Sequence, residues 1–161
     1  MKTETPRPIH LKDYTPSAYL IDAVDLDVVL DPQRTVVRAR LKLHPNPSAS
    51  GKNGGLRLDG EQLELIGIKL DGKALGEDDY ILTPESLEIP KVPDRAFRLL
   101  IETAINPKEN TALQGLYRSG SIYCTQCEAE GFRRITYFLD RPDVLARYKT
   151  RIEADINDAP V

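Results

Sequence analysis

The sequence predicts a mainly β fold: mostly antiparallel strands in a sandwich or an open, curved sheet, with one short helix near the C-terminal end. Three observations predict it. Apolar residues alternate with polar ones over several runs, the period of a strand with one wet face. Turn signals separate these runs at intervals of roughly 8–12 residues. No run before Glu109 carries the three-and-four spacing of a helix of useful length.

The first clear strand covers residues 24–30, where Val24, Leu26, Val28 and Leu30 alternate with Asp25, Asp27 and Val29. Asp31-Pro32-Gln33-Arg34 is a turn signal. Val37, Ala39, Leu41 and Leu43 then alternate with Arg38, Arg40 and Lys42, so the two runs read as a β-hairpin. Its outer face is acidic on one strand and basic on the other, and opposite charges across the pair favour this pairing. Residues 44–55 (HPNPSASGKNGG) form a surface loop, with β patterning resuming at 56–58. In 63–70 the alternation changes phase between Leu65 and Ile66, which predicts a bulge or burial on both faces. Asp71-Gly72 turns tightly into 73–75. Short strands at 80–83 and 87–89 flank Pro84, and 97–105 is an apolar strand stopped by Asn106-Pro107. The helix is expected at 141–148, capped by Asp140 with Pro142 in its first turn. Residues 149–155 return to alternation.

Composition narrows the function. The 161 residues suit a single domain that buries roughly two-thirds of its unfolded surface, so neither disulfide nor metal is needed for folding. With 22 basic and 25 acidic residues the net charge is -3, which offers no electrostatic case for nucleic acid or an anionic membrane. No apolar run approaches the roughly 20 residues of a membrane-spanning helix, and the polar, proline-bearing start is not a secretory signal. Two histidines, His10 and His44, cannot build a three-imidazole site or an H-E-x-x-H zinc helix. Cys124 and Cys127 form one C-T-Q-C, a poor staple. Without a second pair or a nearby His it is half of a zinc site at most, so reduced thiols in a cytoplasm are expected.

Information concentrates after Leu113. Four of the seven tyrosines, both cysteines and the run QCEAEGFRR at 126–134 fall there. Two readings of that run compete. In one, Arg133 and Arg134 neutralise Glu128 and Glu130 and brace a loop. In the other, the carboxylates form an acidic pocket awaiting a cation.

The stretch GLYRSGSIYCTQCEAEGFRRITYFLDRPDVLARYKTRIEAD (115–155), most specifically CTQCEAEGFRRITYFLDRPDVLA, resembles the bacterial aminopeptidase N proteins of the M1 family of zinc metallopeptidases. The resemblance extends more loosely upstream through LKDYTPSAYLIDAVDLDVVLDPQRTVVRARLKL and GLRLDGEQLEL. It implies a saddle-like, mostly antiparallel N-terminal β domain over residues 1–148, with 149–161 starting the strand that leads into a catalytic domain. That domain's G-A-M-E-N and H-E-x-x-H segments are absent from this sequence. It also implies zinc in the full-length parent and none in this fragment, whose partners would be the catalytic domain of the same polypeptide and the N-terminus of a peptide substrate.

By the same resemblance, Gln126 and Glu128 stand where a Gln and a Glu contact the substrate's free α-amino group. Glu130, Arg133 and Arg134 would brace their loop, and Tyr137, Asp140 and Asp143 would be structural. Catalytic residues would lie outside this chain, leaving the fragment inactive alone. An apolar patch near Tyr117, Tyr123 and Phe132 is expected where the missing domain would pack. Two alternatives stand beside this reading. One is a non-catalytic β-type adaptor domain whose acidic loop grips a cationic partner. The other is a small metal- or redox-active protein using Cys124 and Cys127.

Overall fold

The strands form because apolar alternation meets partners in register. A computed structural model describes residues 10–49 and 54–156. Residues 50–53 of the expected loop, the start of the chain through 9 and the tail 157–161 lie outside the described residues. Among the described residues there are eleven strands: β1 (Tyr19–Val29), β2 (Thr35–Pro45), β3 (Leu56–Asp59), β4 (Glu64–Leu70), β5 (Lys73–Ala74), β6 (Ile81–Leu82), β7 (Ser86–Ile89), β8 (Phe97–Ile105), β9 (Gly115–Ser119), β10 (Ile122–Gln126) and β11 (Arg147–Glu153).

They make open sheets of mixed direction. The largest has the order β11-β1-β2-β8-β4-β5; the others are β3-β7-β6 and β10-β9. Every pairing is antiparallel except β1 with β11, which is parallel. Val24, Val37, Leu41 and Ile101 of the large sheet and Leu56, Leu58, Leu87 and Ile89 of the three-stranded sheet share one apolar core. Burying each such side chain contributes about 1.5–3 kcal/mol, so this core is the principal stabilising term.

The first hairpin forms as its sequence dictates. Asp31 Oδ1 accepts the backbone N–H groups of Gln33 (2.8 Å) and Arg34 (2.7 Å), turning the chain from β1 to β2. Asp25 faces Arg40 and Asp27 faces Arg38 in the ladder. Arg40 pairs with Asp27, and Lys42 lies 3.3 Å from Asp22. The phase change in the fourth strand is a bulge: register shifts between Leu65 and Gly67, leaving Ile66 as the extra, exposed residue. Asp71-Gly72 closes the β4–β5 hairpin, with Gly72 at φ +85.

The expected helix at 141–148 does not form. Pro142 and Asp143 occupy a turn in which the Arg141 guanidinium grips the Asp143 carboxylate (2.8 and 2.9 Å), and the chain then extends into β11. An eight-residue helix is marginal by itself. Residues 147–153 instead satisfy the open edge of β1 across a seven-residue parallel ladder. The helical turn near the C-terminal end is a 3-10 turn at Phe132–Arg134. The β9–β10 hairpin carries no strong alternation and was not expected from the pattern.

Candidate functional site

The candidate site grows from the end of the β9–β10 hairpin. Gly115 opens β9 opposite Gln126, the last residue of β10. Gly115 adopts φ +70, and a Cβ there would sit 2.7 Å from Arg134 Cβ, so the hairpin base closes on the 3-10 turn only with glycine. After Gln126 the chain loops through Cys127, Glu128, Ala129 and Glu130, and the Gly131 N–H returns to the Cys127 carbonyl at 2.9 Å. Glu130 takes φ +66 to complete the reversal. A Cβ on Gly131 would meet Gln126 O at 2.5 Å and Cys127 Cα at 2.9 Å, so the loop is packed against its own stem.

Gln126 and Glu128 are brought together. The Gln126 side-chain N–H donates to the Glu128 backbone carbonyl at 2.9 Å, which leaves the Gln126 Oε1 acceptor for another partner. Both residues are exposed. Among the described residues no ion pair or hydrogen bond engages the Glu128 carboxylate. The brace in which Arg133 and Arg134 neutralise Glu128 is therefore not what the fold builds.

The arginines are committed elsewhere. Arg133 bonds Asp140 through its backbone N–H (3.1 Å) and Nε (2.9 Å) to Oδ2, and through its guanidinium to the Asp140 carbonyl (3.0 Å). It also lies 3.3 Å from Glu130. Arg134 donates to the Glu61 carboxylate and to the Gln62 side-chain Oε1 (2.6 Å). These are distant partners that no local motif announces. Asp59 and Phe138 exchange backbone hydrogen bonds (2.8 and 3.0 Å), tying the segment after the loop to β3. Tyr137 is buried with its ring against Gly60, and Asp143 is held below the usual carboxylate range chiefly by its bonds from Arg141.

Below the loop Phe132 packs edge-on against Phe138 (4.8 Å) and Tyr148 (5.7 Å). Burial, with smaller contributions from Asp140 and Cys127, pushes the Tyr148 phenol up to about 12. Cys124 and Cys127 are free thiols. Burial and nearby Asp140 raise the Cys127 pKa, which is opposite to the activation a redox thiol needs. Among the described residues no three His, Cys, Asp or Glu side chains converge to hold a metal ion, so the side chains do not fit a zinc centre. Tyr117, Tyr123 and Phe132 are half-buried, and the exposed apolar residues of this end are Ile122, Leu145, Tyr148, Ile152 and Ile156. No helix among the described residues is long and apolar enough to cross a membrane.

The described residues thus form open β sheets with one anchored loop that presents an unpaired carboxylate. The family described as the peptidase M1 N-terminal domain matches residues 25–159, and the chain belongs to it. It is 50% identical over 155 residues to aminopeptidase N of Caulobacter vibrioides, covering 96% of this chain and 18% of that protein. It is 44% identical over 156 residues to aminopeptidase N of Escherichia coli, covering 95% of this chain and 17% of that protein. Among solved structures it is similar to Legionella pneumophila aminopeptidase A in complex with aspartic acid, with a TM-score of 0.87, 37% identity, and coverage of 94% of this chain and 18% of that one. An M1 zinc metallopeptidase from Deinococcus radiodurans shares the fold at 15% identity, with a TM-score of 0.70 over 87% of this chain and 33% of that one. The chain therefore spans 17–18% of the length of the curated relatives named here.

Proposed function

We propose that this chain is the N-terminal domain of a cytoplasmic zinc aminopeptidase and supplies the loop that holds the substrate's α-ammonium group. Gln126 and Glu128 are the residues assigned to that contact. The observation that carries the reading is the Glu128 carboxylate, exposed and unpaired beside Gln126 on a loop whose neighbouring cations are all committed elsewhere.

An exopeptidase must hold a free N-terminal ammonium and reject internal peptide, which lacks that charge. The Glu128 carboxylate accepts charge-assisted hydrogen bonds from the ammonium, and Gln126 Oε1 accepts a further one. The Gln126 N–H bond to the Glu128 carbonyl holds the two acceptors together before substrate arrives. Peptide-bond hydrolysis then belongs to the rest of the parent, where a bound zinc supplies Lewis-acid chemistry. The fragment alone is inactive in this reading. Residues 1–148 form the β domain and 149–161 lead toward the catalytic domain. Ile152, exposed on β11, and Tyr148, whose ring packs on Phe132 and Phe138 with half its surface left open, support docking of that domain against β11. Free Cys124 and Cys127 support a reducing compartment.

The test is Glu128→Ala in the full-length parent, assayed on an amino-acid anilide. The expected loss in kcat/KM corresponds to about 2–4 kcal/mol, from removing a charge-assisted contact to a desolvated ammonium. An unchanged kcat/KM would place Glu128 outside the recognition contact.

A further inference from the structure

We propose that Asp140 is a positioning residue for the recognition loop, acting through Arg133 and Glu130. This rests on the reading of Glu128 given above and deepens it.

The geometry is a chain of contacts running from the sheet to the loop. Asp59, the last residue of β3, is fixed by its two backbone bonds to Phe138. Its carboxylate accepts the Asp140 N–H at 3.3 Å. Asp140 Oδ2 then accepts two bonds from Arg133, one from its backbone and one from Nε, while the Asp140 carbonyl accepts a third. The Arg133 carbonyl in turn accepts the Glu61 N–H at 3.0 Å. The Arg133 and Asp140 side chains are only 18% and 12% exposed, whereas Glu130 is 59% exposed. The outer end of the same guanidinium holds Glu130, two residues from Glu128.

The chemistry of the pair suits positioning. A planar guanidinium bound at three points has one orientation, which a lysine ammonium would not reproduce. Its partner is withdrawn from water, so the pairing is weakly screened. Arg133 lies two residues past Gly131, whose N–H closes the loop on Cys127. Fixing Arg133 therefore fixes the loop's exit, and the β10 ladder fixes its entry at Gln126. With both ends held, the exposed carboxylate between them has a defined place.

The experiment uses the full-length enzyme and a double-mutant cycle between Asp140→Asn and Glu128→Gln, with anilide kinetics and the thermal midpoint recorded for each variant. Asp140→Asn keeps the shape and loses the charge. It is expected to lower kcat/KM on the order of tenfold, mostly through KM, because a displaced contact binds the amine less well. In the Glu128→Gln background the same substitution is expected to change kcat/KM by less than about twofold, since no charged contact remains to be placed. A merely structural role would give equal factors in both backgrounds, and that result overturns the inference while leaving the recognition reading intact. No effect of Glu128→Gln alone overturns both. Should Asp140→Asn fail to fold, Glu130→Gln decides on the exposed side of the same link: a smaller loss that vanishes in the Glu128→Gln background supports the proposal, and an equal loss in both sinks it.

Discussion

The large sheet and the 126–134 loop are held together by different physics. In the sheet, β1, β2 and β8 interlock through fully buried Val24, Val37, Leu41 and Ile101, while ion pairs such as Arg34 with Glu64 stand in solvent at its edges. Exposed pairs of that kind add little. In the loop segment the order is reversed. Residues 126–130 are all exposed, and the loop's shape comes from part-buried arginines bonded to Asp140, Glu61 and Gln62 before Ile135, Tyr137, Phe138 and Leu139 rejoin the apolar core. Apolar burial is tolerant of small displacements, whereas a guanidinium–carboxylate fork is directional. The scaffold is thus built for stability and the loop for placement.

The sharpest way to break this contrast is to cut a cavity in the sheet. Leu41→Ala removes a side chain that is 1% exposed and is expected to lower stability by about 3–4 kcal/mol in urea unfolding of this chain. A loss below 1 kcal/mol would mean the sheet core does not dominate.

A smaller and more local effect is expected at Gly131→Ala. The added methyl meets backbone atoms of Gln126 and Cys127, which have to shift, at a cost of about 1–3 kcal/mol. Hydrogen exchange should accelerate at the Gly131 amide while the Ile101 amide keeps its protection. Equal acceleration at both sites would show that loop and sheet open as one unit.

The smallest effect is a pH slope. The Tyr148 phenol is raised from its ordinary value of 10.0 to about 12, so its contribution is fully present below pH 10 and is lost as pH rises toward 12. The unfolded chain releases that proton first, and stability falls across this window. Tyr148→Phe should flatten the part of the slope between pH 10 and 12 that Tyr148 supplies, read as the urea midpoint against pH. An unaltered slope would mean that Phe132 and its neighbours do not desolvate this ring.

Most of the sheet is legible in the sequence because its signals are local. Val24 to Val28 and Val37 to Leu43 alternate cleanly, Asp31 announces the turn, and the phase change beside Ile66 announces the bulge. The 141–148 segment misleads for the same reason. Its local pattern suits a short helix, and only the distant edge of β1 makes it a turn followed by a strand. The loop was legible in part. Gln126 and Glu128 stand out through family resemblance, not through composition or spacing. The partners of Arg133 and Arg134 needed the fold, since Glu61 and Gln62 lie far upstream and Asp140 reads as a helix cap.

The parallel pairing of β1 with β11 also sets an order of events during synthesis. β1 leaves the ribosome early, but its outer edge has no partner until Arg147–Glu153 has been translated. Until then the nascent chain carries an open strand edge, a template for wrong pairing. Because the contact joins the first strand to the last, the sheet is completed late and slowly compared with a local hairpin. Residues 147–153 thus act as the closing strand of the large sheet, which is sealed only once they have emerged.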